Sequence, residues 1–358
     1  MDISRFRQTY YNGTKILMKC LRHRITGVRI PVWATLYITD RCNQRCTHCG
    51  IHTVNRLKDK FDTTGWIRII DELCDLGTEW FRLLGGEPLL RKDLPVLIEY
   101  IVDKKTRIAE LITNGIILEK MLPELTKLKF VGISLEGNRE NHEMVRGPGS
   151  FDKTIRAIEK CVATGKYVRI HMVLNTYNIR PDNIDFMINF CRSNNIVFDF
   201  CRLMVNPYYQ PTEIPEYYYI PEETARNFYK NMLKRKIEEN IPISNSIEAL
   251  QKLIDWPQSY DHYILKKSEA DKDFRKYLPE CINGNLSFEM SSDGKMRYCV
   301  NRYEEQIDTN GLGSVRKAWE DLGIKDCYQC SHLSVIEQSL MFNFHPAALL
   351  NVARLLSK

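Results

Sequence analysis

The stretch Cys42-Asn-Gln-Arg-Cys46-Thr-His-Cys49 decides how the rest of the chain is interpreted, and it follows an apolar run from Trp33 to Thr39. Three thiols in C-x3-C-x2-C spacing cannot complete a tetrahedral four-thiolate site by themselves. A four-iron cluster held by three cysteines leaves one iron open to a small molecule. Zinc would need a fourth ligand, which His48 or His52 could supply. The spacing favours the cluster and leaves zinc open.

The composition excludes several classes of protein. The 358 residues carry 51 Lys and Arg against 45 Asp and Glu, without a block of like charge or a basic and aromatic repeat, so nucleic acid is not an expected partner. No run of eighteen uncharged apolar residues is present, and the N-terminus lacks the pattern of a signal peptide. Twelve cysteines in such a chain indicate metal ligands and buried thiols, and predict a cytoplasmic, reducing location.

Between Trp33 and Met204, strand-like and helix-like segments alternate with a period of about thirty residues. The predicted strands are Trp33–Thr39, Trp80–Leu84, Ile108–Thr113, Phe130–Leu135, Val168–Asn175 and Ile196–Met204. The predicted helices are one capped by Thr63 or Thr64 and stopped by Gly77, one carrying Leu94 to Val102, and then Met121–Leu128, Phe151–Thr164 and Asp182–Arg192. Six such units predict an α/β fold with a parallel sheet, and six is short of eight, so we expect a partial, open (β/α)6 TIM-like barrel.

Polar and glycine-rich groups follow the predicted strands. In barrels of this type, catalytic groups lie on the loops after the strands. Cys42 follows the first strand, Gly85-Gly86-Glu87-Pro88 the second, Thr113-Asn114-Gly115 the third, Ser134-Leu-Glu-Gly137 the fourth and Asn175 the fifth. The pattern therefore predicts a site at one rim of the barrel.

The cysteine triplet followed by Gly85-Gly86-Glu87-Pro88 resembles the radical S-adenosylmethionine superfamily, and the resemblance covers nearly the whole chain. The run Ser134-Leu-Glu-Gly137, His142, Arg146-Gly147 and Gly149-Ser150-Phe151 resembles the branch that carries a SPASM or twitch domain. The resemblance implies that Cys42, Cys46 and Cys49 hold a catalytic [4Fe-4S] cluster whose open iron binds S-adenosylmethionine. One electron from the cluster would then split this cofactor and release a 5′-deoxyadenosyl radical.

The same resemblance implies contacts to S-adenosylmethionine. They are the backbone of Gly85 and Gly86 at the methionyl amine with Glu87 orienting it, Ser134 and Glu136 at the ribose, Arg146 at the carboxylate, and His48, Leu203 and Met204 near adenine. Structural alternatives stay open for several of them. Glu87 could only make a strand-end hydrogen bond, Arg146 could form a surface ion pair, and Leu203 or Met204 could simply pack.

A second set of cysteines lies near the C-terminus. Cys281, Cys299, Cys327 and Cys330 are a complete four-thiolate set, which structural zinc would also satisfy. Gly294-x4-Cys299 with the later pair resembles a twitch or SPASM-like domain. The resemblance implies one auxiliary [4Fe-4S] cluster that is fully ligated by protein and therefore acts as an electron carrier.

The predicted division of the chain has five parts. They are a basic lead-in at 1–32, the barrel at 33–206, a connector over the barrel mouth at 207–280, the auxiliary-cluster domain at 281–335 and an amphipathic helix at 336–358. The two amphipathic ends could pack against the barrel or contact an anionic membrane surface peripherally.

The implied activity is abstraction of a hydrogen atom from an unactivated carbon, with the auxiliary cluster assisting net oxidation or bond formation. A flavodoxin- or ferredoxin-type donor would supply the electron. The favoured substrate is a small metabolite, lipid-linked or glycan-like. Only 41 residues precede Cys42, few for a leader-peptide domain, and Val300 stands where sulfatase-maturing relatives carry an aspartate. Peptide maturation and a non-catalytic iron–sulfur or zinc sensor remain as alternatives.

Overall fold

The computed structural model of the protein describes residues 3–51, 59–203, 213–299, 301–302, 305–309, 314–323 and 326–356, with side chains from residue 12 to residue 355. Of the helices in these ranges, none combines the length and the apolar character needed to cross a membrane.

Six parallel strands form the centre of the molecule. They are β1 (Trp33–Thr39), β2 (Trp80–Gly85), β3 (Ile108–Thr113), β4 (Phe130–Ser134), β5 (Tyr167–Leu174) and β6 (Val197–Arg202). They pair in chain order, each parallel to the next. The predicted α/β fold with a partial barrel is confirmed, and every strand lies within two residues of its predicted bounds.

Helices cover the outside of these strands. They are α1 (Ile3–Thr26), α2 (Thr63–Leu76), α3 (Leu94–Glu99), α4 (Leu118–Met121), α5 (Arg139–Arg146), α6 (Ser150–Ala163) and α7 (Pro181–Ser193). The predicted cap of α2 is wrong, because the side chain of Asp62 accepts the hydrogen bond from Gly65 N. Gly77 ends α2 as predicted, at φ 110°. The predicted helix Met121–Leu128 is also wrong, because α4 ends at Met121 and a 3-10 turn with Pro123 follows.

The two faces of the strands have different neighbours. Residues such as Phe81, Leu111 and Ile170 are fully buried against the helices. The alternate positions face the concave interior, because successive side chains of a strand point to opposite faces. Four aromatic rings close the interior at the amino ends of the strands, and we call them the aromatic floor. Trp33 stacks on Trp80 at 4.7 Å, and Phe130 and Tyr167 continue the row.

The cysteine-rich region extends the same sheet. Strand β7 (Ile264–Leu265) pairs with β11 (Gln329–Cys330), whereas β8 (Ser287–Met290), β9 (Lys295–Arg297) and β10 (Gln306–Asp308) join the barrel strands. Strand β8 lies parallel to β1, and the order is β10-β9-β8-β1-β2-β3-β4-β5-β6. Cys281 and Cys299, which flank β8 and β9, are thus attached to the barrel beside the strand that leads into the first cysteine loop, whereas Cys330 lies on β11 in the separate two-stranded sheet.

The remaining helices are α8 (Glu222–Glu238), α9 (Ile247–Ile254), α10 (Lys272–Tyr277), α11 (Val315–Asp321), α12 (Leu333–Phe342) and α13 (Pro346–Leu356). Helix α8 packs on β6, where the ring of Phe228 lies 5.2 Å from that of Phe200. Ile243 forms a parallel bridge to Phe198 of β6. The helices of the predicted connector therefore share the hydrophobic core of the barrel. The predicted domain boundaries themselves stay predictions.

Helix α1 lies beneath the aromatic floor. Ile16 and Cys20 pack in a small cluster with Phe342 and Leu286, and Lys19 forms an ion pair with Glu79. The opposite side of α1 exposes apolar side chains to solvent: Met18, Leu21 and Ile25 are 67%, 41% and 74% exposed.

Candidate active site

The first cysteine loop follows β1 directly. Cys46 is buried, Cys42 and Cys49 are half-buried, and all three are free thiols. A turn closed by a hydrogen bond from Cys49 N to Cys46 O (3.0 Å) brings the last two together. Burial raises the pKa of the Cys42 thiol to about 12. Buried thiolates need a compensating positive charge, so this loop suits a metal cluster, whose ligands bind in the deprotonated form.

Gly85 and Gly86 let the end of β2 lie against the backbone that enters this loop. A Cβ at Gly85 would lie 2.1 Å from Thr39 O, and one at Gly86 would lie 2.3 Å from Arg41 O. Gly86 N donates to Thr39 O at 2.7 Å, and Glu87 N donates to Arg41 O at 2.7 Å. The missing side chains are therefore required by a contact within the protein. The predicted approach of these glycines to the methionyl amine stays a prediction.

Glu87 is buried, and both of its carboxylate oxygens accept hydrogen bonds. The donors are Leu89 N (3.1 Å), Thr113 Oγ1 (2.8 Å) and Asn114 N (2.9 Å). Burial raises the pKa of Glu87 to about 7, although these hydrogen bonds act to lower it. These contacts are strand-end hydrogen bonds of the kind considered for Glu87 as the alternative to orienting the methionyl amine. They join the ends of β2 and β3.

Glu136 and Arg146 form a buried ion pair beside the second cysteine. Arg146 Nη2 and Nε donate to Glu136 Oε1 at 2.6 and 2.9 Å, and Arg146 Nη1 lies 3.7 Å from Cys46 Sγ. The second oxygen of Glu136 accepts from Val173 N at 2.8 Å, which ties the pair to β5. The surface ion pair considered for Arg146 is therefore a buried one. It places a cation next to the sulfur that a cluster would use.

The other predicted cofactor residues lie at the same rim. Ser134 is the last residue of β4, and Leu203 directly follows β6; both are half-buried. His48 lies between the cysteines, and its Nδ1 is 3.0 Å from Tyr218 Oη. Burial, with a smaller contribution from Arg146, lowers the pKa of His48 to about 3, so the ring is neutral. Met204 lies outside the described residues.

Tyr218 was not among the predicted cofactor residues, although the sequence also allows the connector tyrosines to line a substrate pocket or to pack a loop. It is buried, and burial together with the negative charge of Glu136 raises its pKa above the ordinary value. The sequence signal was the run Tyr217-Tyr218-Tyr219 among prolines, which fits a loop-packing role as well as a pocket.

Cys281, Cys299, Cys327 and Cys330 line one small cavity together with Tyr298 and Asn301. Backbone N–H groups point at two of the sulfurs, with Asn283 N 3.5 Å from Cys281 Sγ and Asn301 N 3.4 Å from Cys299 Sγ. Throughout the described ranges, no three His, Cys, Asp or Glu side chains are close enough to hold a single metal ion. Four thiols with N–H donors to sulfur fit the ligand environment of an iron–sulfur cluster.

Charged side chains on the inner faces of the strands, called the charged chamber below, lie between the rim and the aromatic floor. Arg82 and Arg169 both contact Glu110, at 2.9 and 2.8 Å. His171 contacts Asp199 at 2.6 Å, and Arg297 contacts Glu289 at 3.2 Å. Burial alone would raise the pKa of Glu110, but the guanidinium groups of Arg82 and Arg169 outweigh it and lower the pKa to about 2.

These chamber residues were also missed, although the sequence carries a signal for them. Arg82, Glu110, Arg169, His171 and Asp199 all occupy positions inside predicted strands, between residues that face the hydrophobic core. A charged residue at alternate positions of a buried strand indicates a polar interior, because apolar residues would otherwise occupy both faces.

Comparison with known proteins supports the family resemblance that the sequence motifs indicate. Residues 36–188 match the family described as the Radical SAM superfamily. GTP 3′,8-cyclase of Clostridium botulinum is 34% identical over 288 residues, which are 76% of this chain and 81% of that protein. Fe-coproporphyrin III synthase of Methanosarcina barkeri is 34% identical over 156 residues, which are 42% of this chain and 38% of that protein. The chain thus spans well under half of this second relative.

Among solved structures, SuiB of Streptococcus suis bound to its precursor peptide SuiA has a TM-score of 0.62. The two chains are 19% identical, and the match covers 88% of this chain and 70% of SuiB. At this identity the likeness concerns the fold. Because it covers 88% of the chain, it extends beyond the six-stranded barrel into the cysteine-rich C-terminal region.

Proposed function

The chain belongs to the radical S-adenosylmethionine superfamily, and we propose that it removes a hydrogen atom from an unactivated carbon of its substrate. It is a radical-mediated enzyme whose cofactors are those of the superfamily, a [4Fe-4S] cluster and S-adenosylmethionine. When bound, the cluster supplies the electron that cleaves the cofactor to a 5′-deoxyadenosyl radical.

The observation that carries this proposal is the loop of three thiols, one buried and two half-buried, with a cation at the sulfur of the buried one. Cys42, Cys46 and Cys49 would hold the cluster. Arg146, oriented by Glu136, would stabilise the negative charge on Cys46 Sγ, because a guanidinium donor at 3.7 Å interacts with a thiolate more strongly than with a thiol. In the proposed site the remaining rim residues, Ser134 and Leu203, line the cofactor.

We propose that Cys281, Cys299, Cys327 and Cys330 hold the auxiliary [4Fe-4S] cluster. Because four thiols would ligate all four irons, no iron would remain open for substrate, which favours electron transfer over binding. A cluster held there would accept an electron from the substrate radical, which would give net oxidation or a new bond.

The charged chamber supports a polar substrate of low net charge, such as a glycan-like metabolite. Arg82 and Arg169 share Glu110, Arg169 also contacts Asp199, and Arg297 pairs with Glu289, so three guanidinium groups face three carboxylates and their charges balance. A lipid chain placed there would lie against charged side chains without satisfying their hydrogen bonds. A triphosphate, as in the substrate named for GTP 3′,8-cyclase, favours cationic groups that are not already neutralised.

Peptide maturation is the second candidate, and the fold likeness to SuiB with its precursor peptide favours it. The two candidates differ in the product. Incubation with a candidate peptide would give a mass change in the peptide, whereas a small-molecule enzyme would give none.

A peripheral membrane contact is proposed for α1. The helix carries six Lys and Arg residues and no acidic residue, and its exposed Met18, Leu21 and Ile25 could enter an anionic lipid surface. Co-sedimentation with phosphatidylglycerol vesicles, but not with phosphatidylcholine vesicles, is expected for the wild type. A Met18/Leu21/Ile25→Gln variant should remain in the supernatant. Equal sedimentation of both proteins would contradict the proposal.

The proposed catalysis is tested by anaerobic reconstitution with iron and sulfide counted. Two clusters predict about eight irons per chain, falling to about four in a Cys42/Cys46/Cys49→Ala variant that no longer forms 5′-deoxyadenosine under strong reduction. A Cys74/Cys161/Cys191→Ala variant removes the same number of thiols away from both sites and should keep all eight. A flavodoxin- or ferredoxin-type protein is the proposed physiological donor.

Two outcomes would change the assignment. About four irons in the wild type, with zinc present and no iron in the Cys42/Cys46/Cys49→Ala variant, would make the auxiliary site structural and remove the argument for oxidation. About eight irons per chain without formation of 5′-deoxyadenosine would favour the alternative of a non-catalytic iron–sulfur sensor.

A further inference from the structure

A short turn of the predicted connector makes hydrogen bonds to the first cysteine loop. The 3-10 turn Glu216–Tyr218 places two tyrosine hydroxyls over the residues between the second and third cysteines. Tyr217 Oη donates to Thr47 Oγ1 at 2.8 Å, and Tyr218 Oη lies 3.0 Å from His48 Nδ1. Thr47 Oγ1 also lies 3.5 Å from Tyr218 Oη, so the two hydroxyls and Thr47 form one network.

The turn is itself held in place. Thr176 N, just after β5, donates to Tyr217 O at 2.8 Å, and the rings of Tyr217 and Tyr218 lie 4.8 Å apart. Tyr218 is 5% exposed, whereas the neighbouring Tyr219 is 62% exposed. The ring of Tyr218 meets the imidazole of His48 edge-on, with 5.6 Å between the centroids. Both tyrosines of the turn therefore contact the loop, whereas the side chain of Tyr219 faces solvent.

We propose that Tyr218 is a positioning residue of the S-adenosylmethionine site, which orients the His48 ring and thereby the loop between Cys46 and Cys49. The inference rests on the proposed function of that loop. A hydrogen bond to Nδ1 and an edge-on ring contact together fix both the rotation and the tilt of the imidazole. Tyr217 supports the same loop one residue earlier, through Thr47.

This arrangement makes a distant segment part of the cofactor site. Residue 218 is about 170 residues from the loop in sequence, yet its hydroxyl is within hydrogen-bond distance of the residue before the third cysteine. Glu136 and Arg146 also influence Tyr218 electrostatically, so the turn, the loop and the buried ion pair meet at one place. A change in the connector can therefore alter cofactor binding without touching a cluster ligand.

The test uses the reconstituted full chain with Tyr218→Phe, and with Tyr219→Phe as the matched control. The dissociation constant for S-adenosylmethionine is measured from the change that it causes in the electron paramagnetic resonance spectrum of the reduced protein. Tyr218→Phe keeps its ring and should keep the wild-type iron content, while binding weakens about threefold to tenfold, the effect of one lost hydrogen bond. Tyr219→Phe should bind as the wild type does.

A double variant tests whether Tyr218 acts through His48. Once His48→Leu has removed the imidazole, adding Tyr218→Phe should cause no further loss of binding. The proposal is overturned if Tyr218→Phe binds like the wild type, if it loses iron in parallel with affinity, or if its effect persists undiminished in the His48→Leu background. Failure of the proposed function is a different result, because the wild type itself would then show no spectral change with S-adenosylmethionine.

Discussion

Replacing Gly86 by alanine tests whether the close contact between β2 and the first cysteine loop is needed to assemble the site. The new Cβ would lie 2.3 Å from Arg41 O, 2.7 Å from Arg41 C and 2.8 Å from Asp40 O. All three are backbone atoms, so no side-chain rotation can relieve the overlap. Ordinary contact begins near 3.4 Å, and the backbone at Arg41 must therefore recede by about 1 Å.

The displaced residue directly precedes Cys42, so the shift passes into the first cluster ligand. Overpacking of this kind costs about 1–3 kcal/mol of the free energy of unfolding. We expect Gly86→Ala to fold, to hold about four irons instead of about eight, and to lose S-adenosylmethionine cleavage while the C-terminal cluster remains. Gly323→Ala is the matched control, because nothing lies within 4 Å of a Cβ there.

The assay is iron and sulfide counting after anaerobic reconstitution, combined with the binding constant for S-adenosylmethionine. If Gly86→Ala kept about eight irons and bound the cofactor normally, the reasoning from the close contact would be refuted. If it kept all its iron and lost only cofactor affinity, the glycine would serve the methionyl amine and not the path of the loop.

Three further predictions concern the barrel interior and the auxiliary site. Glu110→Gln leaves the guanidinium groups of Arg82 and Arg169 without their shared carboxylate and should cost about 3 kcal/mol in denaturant unfolding, whereas Glu124→Gln at the surface should cost almost nothing. The pKa of Glu110 is about 2 in the folded protein and near 4.5 in the unfolded chain, so the ionised carboxylate contributes its full stabilisation above pH 4.5 and loses it as the pH falls towards 2. The free energy of unfolding, measured against pH, should show this loss in the wild type and not in Glu110→Gln. Cys281→Ala should lower the iron content of the C-terminal site and leave formation of 5′-deoxyadenosine intact; equal loss at both sites would contradict independent clusters.

The barrel could be predicted from sequence because its signals are local. Each strand is a short apolar run bounded by turn residues. Gly77 marks a helix end because glycine readily adopts the left-handed conformation found there. The wrong prediction of the α2 cap concerns a position where several neighbouring side chains could make the same hydrogen bond. Asp62, not Thr63 or Thr64, caps α2, since several adjacent side chains could have done so and the sequence does not rank them.

Contacts between segments that are distant in the chain could not be predicted from the sequence pattern. The hydrogen bond between Tyr218 and His48, and the pairing of β8 with β1, join parts of the chain that no periodicity connects. The charged chamber is an intermediate case. Its residues are visible as charges inside predicted strands, but their partners lie on other strands, so only the three-dimensional register reveals the ion pairs.

The pairing of β8 with β1 also constrains the order in which the molecule can be completed. Trp33 and Ser287 are partners although they lie roughly 250 residues apart, so β1 lacks one of its neighbours until β8 has been synthesised. Until then, β1 would present an unpaired edge next to the first cysteine loop, and such edges associate with other chains. Ending the chain before β8 should therefore yield an aggregating barrel.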